Sequence, residues 1–117
     1  MKQWLLALIL FGAASLAGAA PWQYRGEAVA VLIDVRTPEE FAAGHIDDAI
    51  NIPLDRIVSG VTELRGLGKD SRILLYCRSG RRSAEAALRL NAAGYRQILD
   101  GGAMTTLQSQ LQRQAHP

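Results

Sequence analysis

Cys77 is the single cysteine of a 117-residue chain, and it opens the run Cys77-Arg78-Ser79-Gly80-Arg81-Arg82-Ser83. Three guanidinium groups within five residues of one thiol would favour the thiolate, because nearby cations depress a cysteine pKa and the thiolate is the nucleophile. Gly80 relieves the steric limits on the loop, so successive backbone N–H groups can curl inward as an anion nest. The same charges would select the substrate. A thiolate approached by a dianion meets about 4 kcal/mol of repulsion per charge pair at about 4 Å and an effective dielectric of about 20. Local positive charge offsets that repulsion, and arginine suits oxyanions through its planar fork. Cys77 is therefore the candidate nucleophile, and Arg78, Ser79, Gly80, Arg81, Arg82 and Ser83 are the candidate substrate-binding residues. Against this stands a plainer reading, a packed core cysteine beside a solvated basic surface.

The elements around the loop argue for the first reading. Arg72 to Tyr76 is an apolar run of strand type and Ser83 to Ala93 is a strong helix former stopped by Gly94, so Cys77 falls at the carboxyl end of a buried strand. Open α/β sheets bind ligands at that edge, and a helix N-terminus there adds positive potential. Val29 to Val35 reads as another buried strand. Thr37-Pro38-Glu39-Glu40 then starts a helix, with Thr37 at the N-cap, Pro38 at N1, Glu40 closing a capping box, and Gly44 as the stop. Ile50 to Ile52 is a short strand, and Ile57, Val58, Val61 and Leu64 lie at helical spacing broken by Gly60. Gln97 to Leu99 predicts a third short strand, Gly101-Gly102 a turn, and Met104 to Gln114 a polar terminal helix. Strands alternating with helices define an α/β domain with a mainly parallel central sheet flanked by helices.

The N-terminus has a separate character. Lys2 precedes the apolar run Trp4 to Phe11, and small residues follow to Ala17-Gly18-Ala19. This reads as a signal peptide over residues 1–19, with the domain over 20–117 and its core at about 27–107. A retained anchor over Trp4 to Ala20 is the rival, at the short end of what spans a bilayer. The mature chain is then exported, to the periplasm, with no stable membrane association. Of 13 basic residues one is Lys2, against 11 acidic residues, so no charge excess points to nucleic acid. A lone cysteine in an exported chain has no internal disulfide partner, which sets Cys77 apart again.

Two stretches carry a family resemblance that covers Val29 to Leu107. One is Leu32-Ile33-Asp34-Val35-Arg36-Thr37-Pro38-Glu39-Glu40-Phe41, continuing through Gly44-His45-Ile46 to Ala49-Ile50-Asn51-Ile52-Pro53; the other is the Cys77 to Ser83 loop. Together they resemble the rhodanese homology domain, and a signal peptide ahead of one such domain is similar to the periplasmic phage shock protein E type of thiosulfate sulfurtransferase. The resemblance implies a single rhodanese-like domain whose Cys77 takes the outer sulfur of thiosulfate as a persulfide and passes it to cyanide or a thiol acceptor. It implies no metal and no organic cofactor.

Phosphatase and arsenate reductase relatives place arginine six positions after the cysteine, where this chain has Ser83; Arg82 stands five positions on, as in the shorter loop sized for sulfur. Asp34 and Arg36 match the first motif as supporting residues that orient the loop, and His45 matches a structural position. Many members carry tryptophan a few residues after the Gly-Gly pair, where Leu107 stands here. A non-catalytic persulfide relay serving a protein partner is the alternative to an enzyme. Redox sensing is a third reading, and it lacks a resolving cysteine within the chain.

Overall fold

The computed structural model describes residues 22–114, so the signal-peptide reading on residues 1–19 lies outside the described residues. In chain order the elements are β1 (Trp22–Tyr24), β2 (Glu27–Ala28), β3 (Val31–Asp34), α1 (Pro38–Ala43), β4 (Ile50–Asn51) and a 3-10 turn (Leu54–Arg56). Then come α2 (Ile57–Thr62), β5 (Arg72–Cys77), α3 (Arg81–Ala92), β6 (Gln97–Ala103), α4 (Met104–Gln110) and β7 (Gln112–Arg113). The fold is α/β: β4-β3-β5-β6 form one sheet in that order, and every pairing in it is parallel.

The alternation of side chains along a strand sorts the core into two layers. Ile33, Ile73, Leu75 and Cys77 face one way, with Ile57 and Val61 of α2 and Ala86 and Leu90 of α3. Leu32, Leu74 and Tyr76 face the other way, with Tyr24, Val29, Ile46 and Leu107 of α4. Each of these strand residues is completely buried. Burying a Leu or Ile side chain is worth about 1.5–3 kcal/mol, so β5 is the best-anchored element of the sheet, and it carries Cys77 at its end.

The chain leaves β3 toward β4 on one side and leaves β5 toward β6 on the other. The order of the sheet therefore reverses between β3 and β5, and the crevice beyond their carboxyl ends is where such sheets hold ligands. Two loops meet there. Arg36 and Thr37 follow β3, and the Cys77 loop follows β5.

Helix α1 starts as its sequence predicts. Thr37 Oγ1 accepts from the Glu40 N–H at 3.2 Å, the Glu40 carboxylate accepts from the Thr37 N–H at 2.9 Å, and Pro38 occupies the first turn. The middle helix is irregular at its start, a 3-10 turn running into a six-residue α2, and Gly60 lies buried inside that helix rather than breaking it.

Two expectations are corrected. Gly101-Gly102 is not a turn between elements but part of β6, opposite a register shift between Leu75 and Cys77. Gly102 has φ +77, and a Cβ at Gly101 would lie 2.8 Å from Leu107 Cδ2 and 2.9 Å from the Leu75 carbonyl oxygen. The irregular strand thus lets α4 sit hard against the sheet, with Leu107 filling the space. The terminal helix ends at Gln110 rather than Gln114, because Gln112 and Arg113 pair antiparallel with β1. That pairing completes a small sheet, β2-β1-β7, absent from the sequence reading. Trp22 belongs to it, donating its indole N–H to the Asp47 carbonyl at 2.8 Å with Arg113 stacked on its ring.

Candidate active site

The site is built on the bend between β5 and α3. Gly80 is the N-cap of α3 with φ +101, a left-handed conformation that suits a residue without Cβ. This conformation turns the peptide so that the Gly80 N–H donates to Cys77 Sγ at 2.9 Å, and the Ser83 N–H donates to the same sulfur at 3.3 Å. The sulfur lies at the first turn of a twelve-residue helix, where the N-cap Gly80 and Ser83 supply it with two of the N–H groups that have no partner within the helix.

Cys77 is wholly buried, and that burial by itself pushes its thiol pKa up. The Ser83 hydroxyl and the backbone N–H groups of Ser83, Gly80 and Ser79 outweigh the burial and leave the thiol below its ordinary value. The two readings set against each other on sequence, core residue or reactive thiol, thus merge: Cys77 is both packed in the core and polarised by its own loop.

The arginines stand differently from what their number suggests. Arg82 makes a bidentate pair with Glu40, Nη1 to Oε1 at 2.7 Å and Nη2 to Oε2 at 3.0 Å. The Arg82 hydrogen bonds, with those from the Thr37 N–H and hydroxyl, hold the Glu40 carboxyl at about 2. Arg82 is raised in turn, chiefly by Glu40 and to a smaller degree by the negative charge on Cys77. Arg78 and Arg81 are exposed, and among the described residues neither forms an ion pair. A cleft of about 310 Å³ lined by Arg36, Glu40, Ala43, Arg78, Met104 and Thr105 flanks the loop.

Asp34 and Arg36 form a second, buried pair. Arg36 donates through Nε and Nη2 to both carboxylate oxygens of Asp34, the shortest contact being 2.7 Å, and Nη2 also donates to the Gly44 carbonyl at 2.7 Å. Asn51 Nδ2 donates to the Asp34 and Arg36 carbonyls, each at 3.0 Å. These bonds tie β3 to β4 and to the end of α1. Among the described residues none runs to the Cys77 loop, so the pair orients the opposite wall of the crevice and not the loop itself. His45 is held against Phe41, its ring stacked at 3.6 Å and its Nδ1 2.8 Å from the Phe41 carbonyl oxygen.

Two residues enter the site beyond the sequence reading. Glu40, read only as a capping residue, also neutralises Arg82. Asp100, in the middle of β6, accepts from the Ser83 hydroxyl at 2.6 Å and from the Gly102 N–H at 2.9 Å. An acidic residue just before a Gly-Gly pair was the signal for Asp100.

A parallel α/β sheet with a buried cysteine at the strand-to-helix bend, its sulfur met by backbone N–H groups, defines the class of fold and site. The chain belongs to the family of the rhodanese-like domain, whose model matches residues 21–105. It is 33% identical over 107 residues to the thiosulfate sulfurtransferase PspE of Escherichia coli, covering 88% of each chain. It is 40% identical over 70 residues to a sulfurtransferase of Allochromatium vinosum, covering 60% of this chain and 63% of that one. Among solved structures, a rhodanese with anions from Escherichia coli superposes with a TM-score of 0.58 at 31% identity, over 71% of this chain and 96% of the other.

Proposed function

We propose that the protein is a sulfurtransferase that takes the outer sulfur of thiosulfate onto Cys77 and delivers it to cyanide or a thiol. The observation that carries the reading is the nest: a buried sulfur met by the Gly80 N–H at 2.9 Å and the Ser83 N–H at 3.3 Å at the start of α3. Likeness to PspE, a thiosulfate sulfurtransferase, supports the choice of donor.

The Cys77 thiolate attacks the outer sulfur of thiosulfate, and a new S–S bond forms. The bond from that sulfur to the sulfonate sulfur breaks, and sulfite leaves with its electron pair. The persulfide anion sits where the N–H donors already point, so little reorganisation is needed. A nucleophilic acceptor then attacks the terminal sulfur, cyanide leaves as thiocyanate, and the Cys77 thiolate is restored. Arg78 and Arg81, without an ion pair among the described residues, are the groups that would meet the sulfonate, while Arg82 and Ser83 frame the loop. Asp34 and Arg36 support the facing wall. The chemistry calls on no metal or organic cofactor.

Incubation of the purified protein with thiosulfate should add the mass of one sulfur, and Cys77→Ser should abolish that gain. No gain in the parent protein sinks the reading. Cyanide added to the loaded form should yield thiocyanate and return the original mass; a persulfide that cyanide leaves untouched, but a protein thiol discharges, marks a relay instead. Lys2, the apolar run Trp4 to Phe11 and Ala17-Gly18-Ala19 support export to the periplasm with cleavage after Ala19. The intact mass of protein recovered from a periplasmic extract checks that site.

A further inference from the structure

Ser83 Oγ carries one proton and has two acceptors in reach, Asp100 Oδ1 at 2.6 Å and the Gly80 carbonyl at 3.1 Å, while Cys77 Sγ at 3.6 Å donates to it as a thiol and becomes a third acceptor only as a thiolate. Ser83 is completely buried, so water does not compete for that proton. The contact to Asp100 is the shortest by half an ångström and is charge-assisted, roughly twice as strong as a neutral hydrogen bond. While the hydroxyl donates to Asp100, Ser83 offers the sulfur only lone pairs. In that state it can accept from a Cys77 thiol but cannot donate to a thiolate or persulfide. Its share in lowering the Cys77 thiol pKa is realised only when the proton turns to the sulfur. We propose that Asp100 is a positioning residue that, by competing for the Ser83 proton, decides whether Ser83 favours the thiol or the anionic sulfur of Cys77.

Asp100 is well placed for this. It is exposed in the middle of β6, next to the irregularity at Gly101-Gly102, and its Oδ1 is fixed by the Gly102 N–H at 2.9 Å. The other charged groups of the crevice are engaged elsewhere or point to solvent. Arg82 of α3 is paired with Glu40 of α1, Arg36 with Asp34 beyond β3, and Arg78 and Arg81 are exposed. Among the described residues, Ser83 is the side chain whose hydroxyl bridges a carboxylate and the sulfur. The inference rests on Cys77 as the reacting atom of the proposed function, but not on the identity of any sulfur donor.

The test is the pH dependence of Cys77 alkylation by iodoacetamide, which needs no sulfur donor and so fails independently of the proposed activity. Asp100→Asn keeps an oxygen for the Gly102 N–H but removes the charge, and a neutral amide competes less well than a thiolate for the hydroxyl proton. The alkylation midpoint should fall by about one pH unit. In a Ser83→Ala background the same Asp100→Asn change should leave the midpoint unmoved. An equal fall in that background would mean that the Asp100 charge acts through space, and would overturn the proposal, as would an unchanged midpoint in Asp100→Asn alone. If Asp100→Asn does not fold, Asp100→Ala at the same exposed position removes the acceptor altogether and must lower the midpoint at least as far; a smaller fall or a rise overturns the proposal equally.

Discussion

Two arginine–carboxylate pairs line the crevice, and they differ in what each can do. Asp34–Arg36 is buried, its side chains 0% and 8% exposed, and every contact that it makes is to the scaffold. Glu40–Arg82 is partly open, at 26% and 33%, and joins the capping box of α1 to the first turn of the helix that carries the sulfur loop. A buried pair, once formed, costs most when one partner is removed, because the other charge is stranded without water. A partly open pair is screened, contributes little to stability, and acts on its surroundings mainly through the charge that it cancels. One pair therefore builds the wall, and the other sets the net charge presented beside Cys77.

Substitutions can break that contrast, and the largest effect falls on the buried pair. Asp34→Ala should destabilise the fold by about 3–5 kcal/mol in urea unfolding, since Arg36 is left charged and desolvated; a loss below about 1 kcal/mol would make the two pairs equivalent. Next is Arg82→Ala, which leaves Glu40 uncompensated near the sulfur. Loading from thiosulfate should slow by about tenfold, whereas Arg113→Ala, far from the loop in an exposed pair with Asp47 and Asp48, should leave the rate unchanged. Equal rates in the two variants would remove any electrostatic role for Arg82.

The pH dependence of stability should single out Glu40. Its pKa of about 2 lies below the ordinary 4.5, so the pair's stabilisation is fully present above about pH 4.5 and is lost as pH falls toward 2. That component should be about 1 kcal/mol after solvent screening, and Glu40→Gln should remove it from the acid limb of a pH–stability curve. The smallest effect has the opposite sign from the second. Glu40→Gln uncovers the Arg82 charge and should speed thiosulfate loading by about threefold at low salt, the gain fading as ionic strength rises. A slower Glu40→Gln protein would mean that the pair is needed for position rather than for charge balance.

Much of the scaffold was legible. The apolar runs Val29 to Val35 and Arg72 to Tyr76 announced β3 and β5, because strands covered on both faces leave continuous hydrophobic sequence. Thr37, Pro38 and Glu40 announced the start of α1 because capping is local chemistry. The small β2-β1-β7 sheet was not legible. Its strands are two or three residues long, β1 and β7 come from opposite ends of the domain, and no periodicity is readable in segments so short. Gly101-Gly102 was misread for a related reason: a Gly-Gly pair signals a turn locally, and only the pairing of β6 with β5 made it a bulge.

The site divides along the same line. Types and spacing alone marked out Cys77, the loop around it and the glycine that lets the loop curl, because a nest is formed by consecutive residues. Tertiary structure decided where the charges went. Arg82 lies next to Ser83 in sequence, yet its guanidinium reaches Glu40, 42 residues earlier, while the Ser83 hydroxyl meets Asp100, 17 residues later. Neither partner is set by local spacing. Each is brought to the crevice by an element beside β5, Glu40 by the helix that follows β3 and Asp100 by β6, so which donors reach the sulfur is decided by packing and not by the count of arginines beside the cysteine.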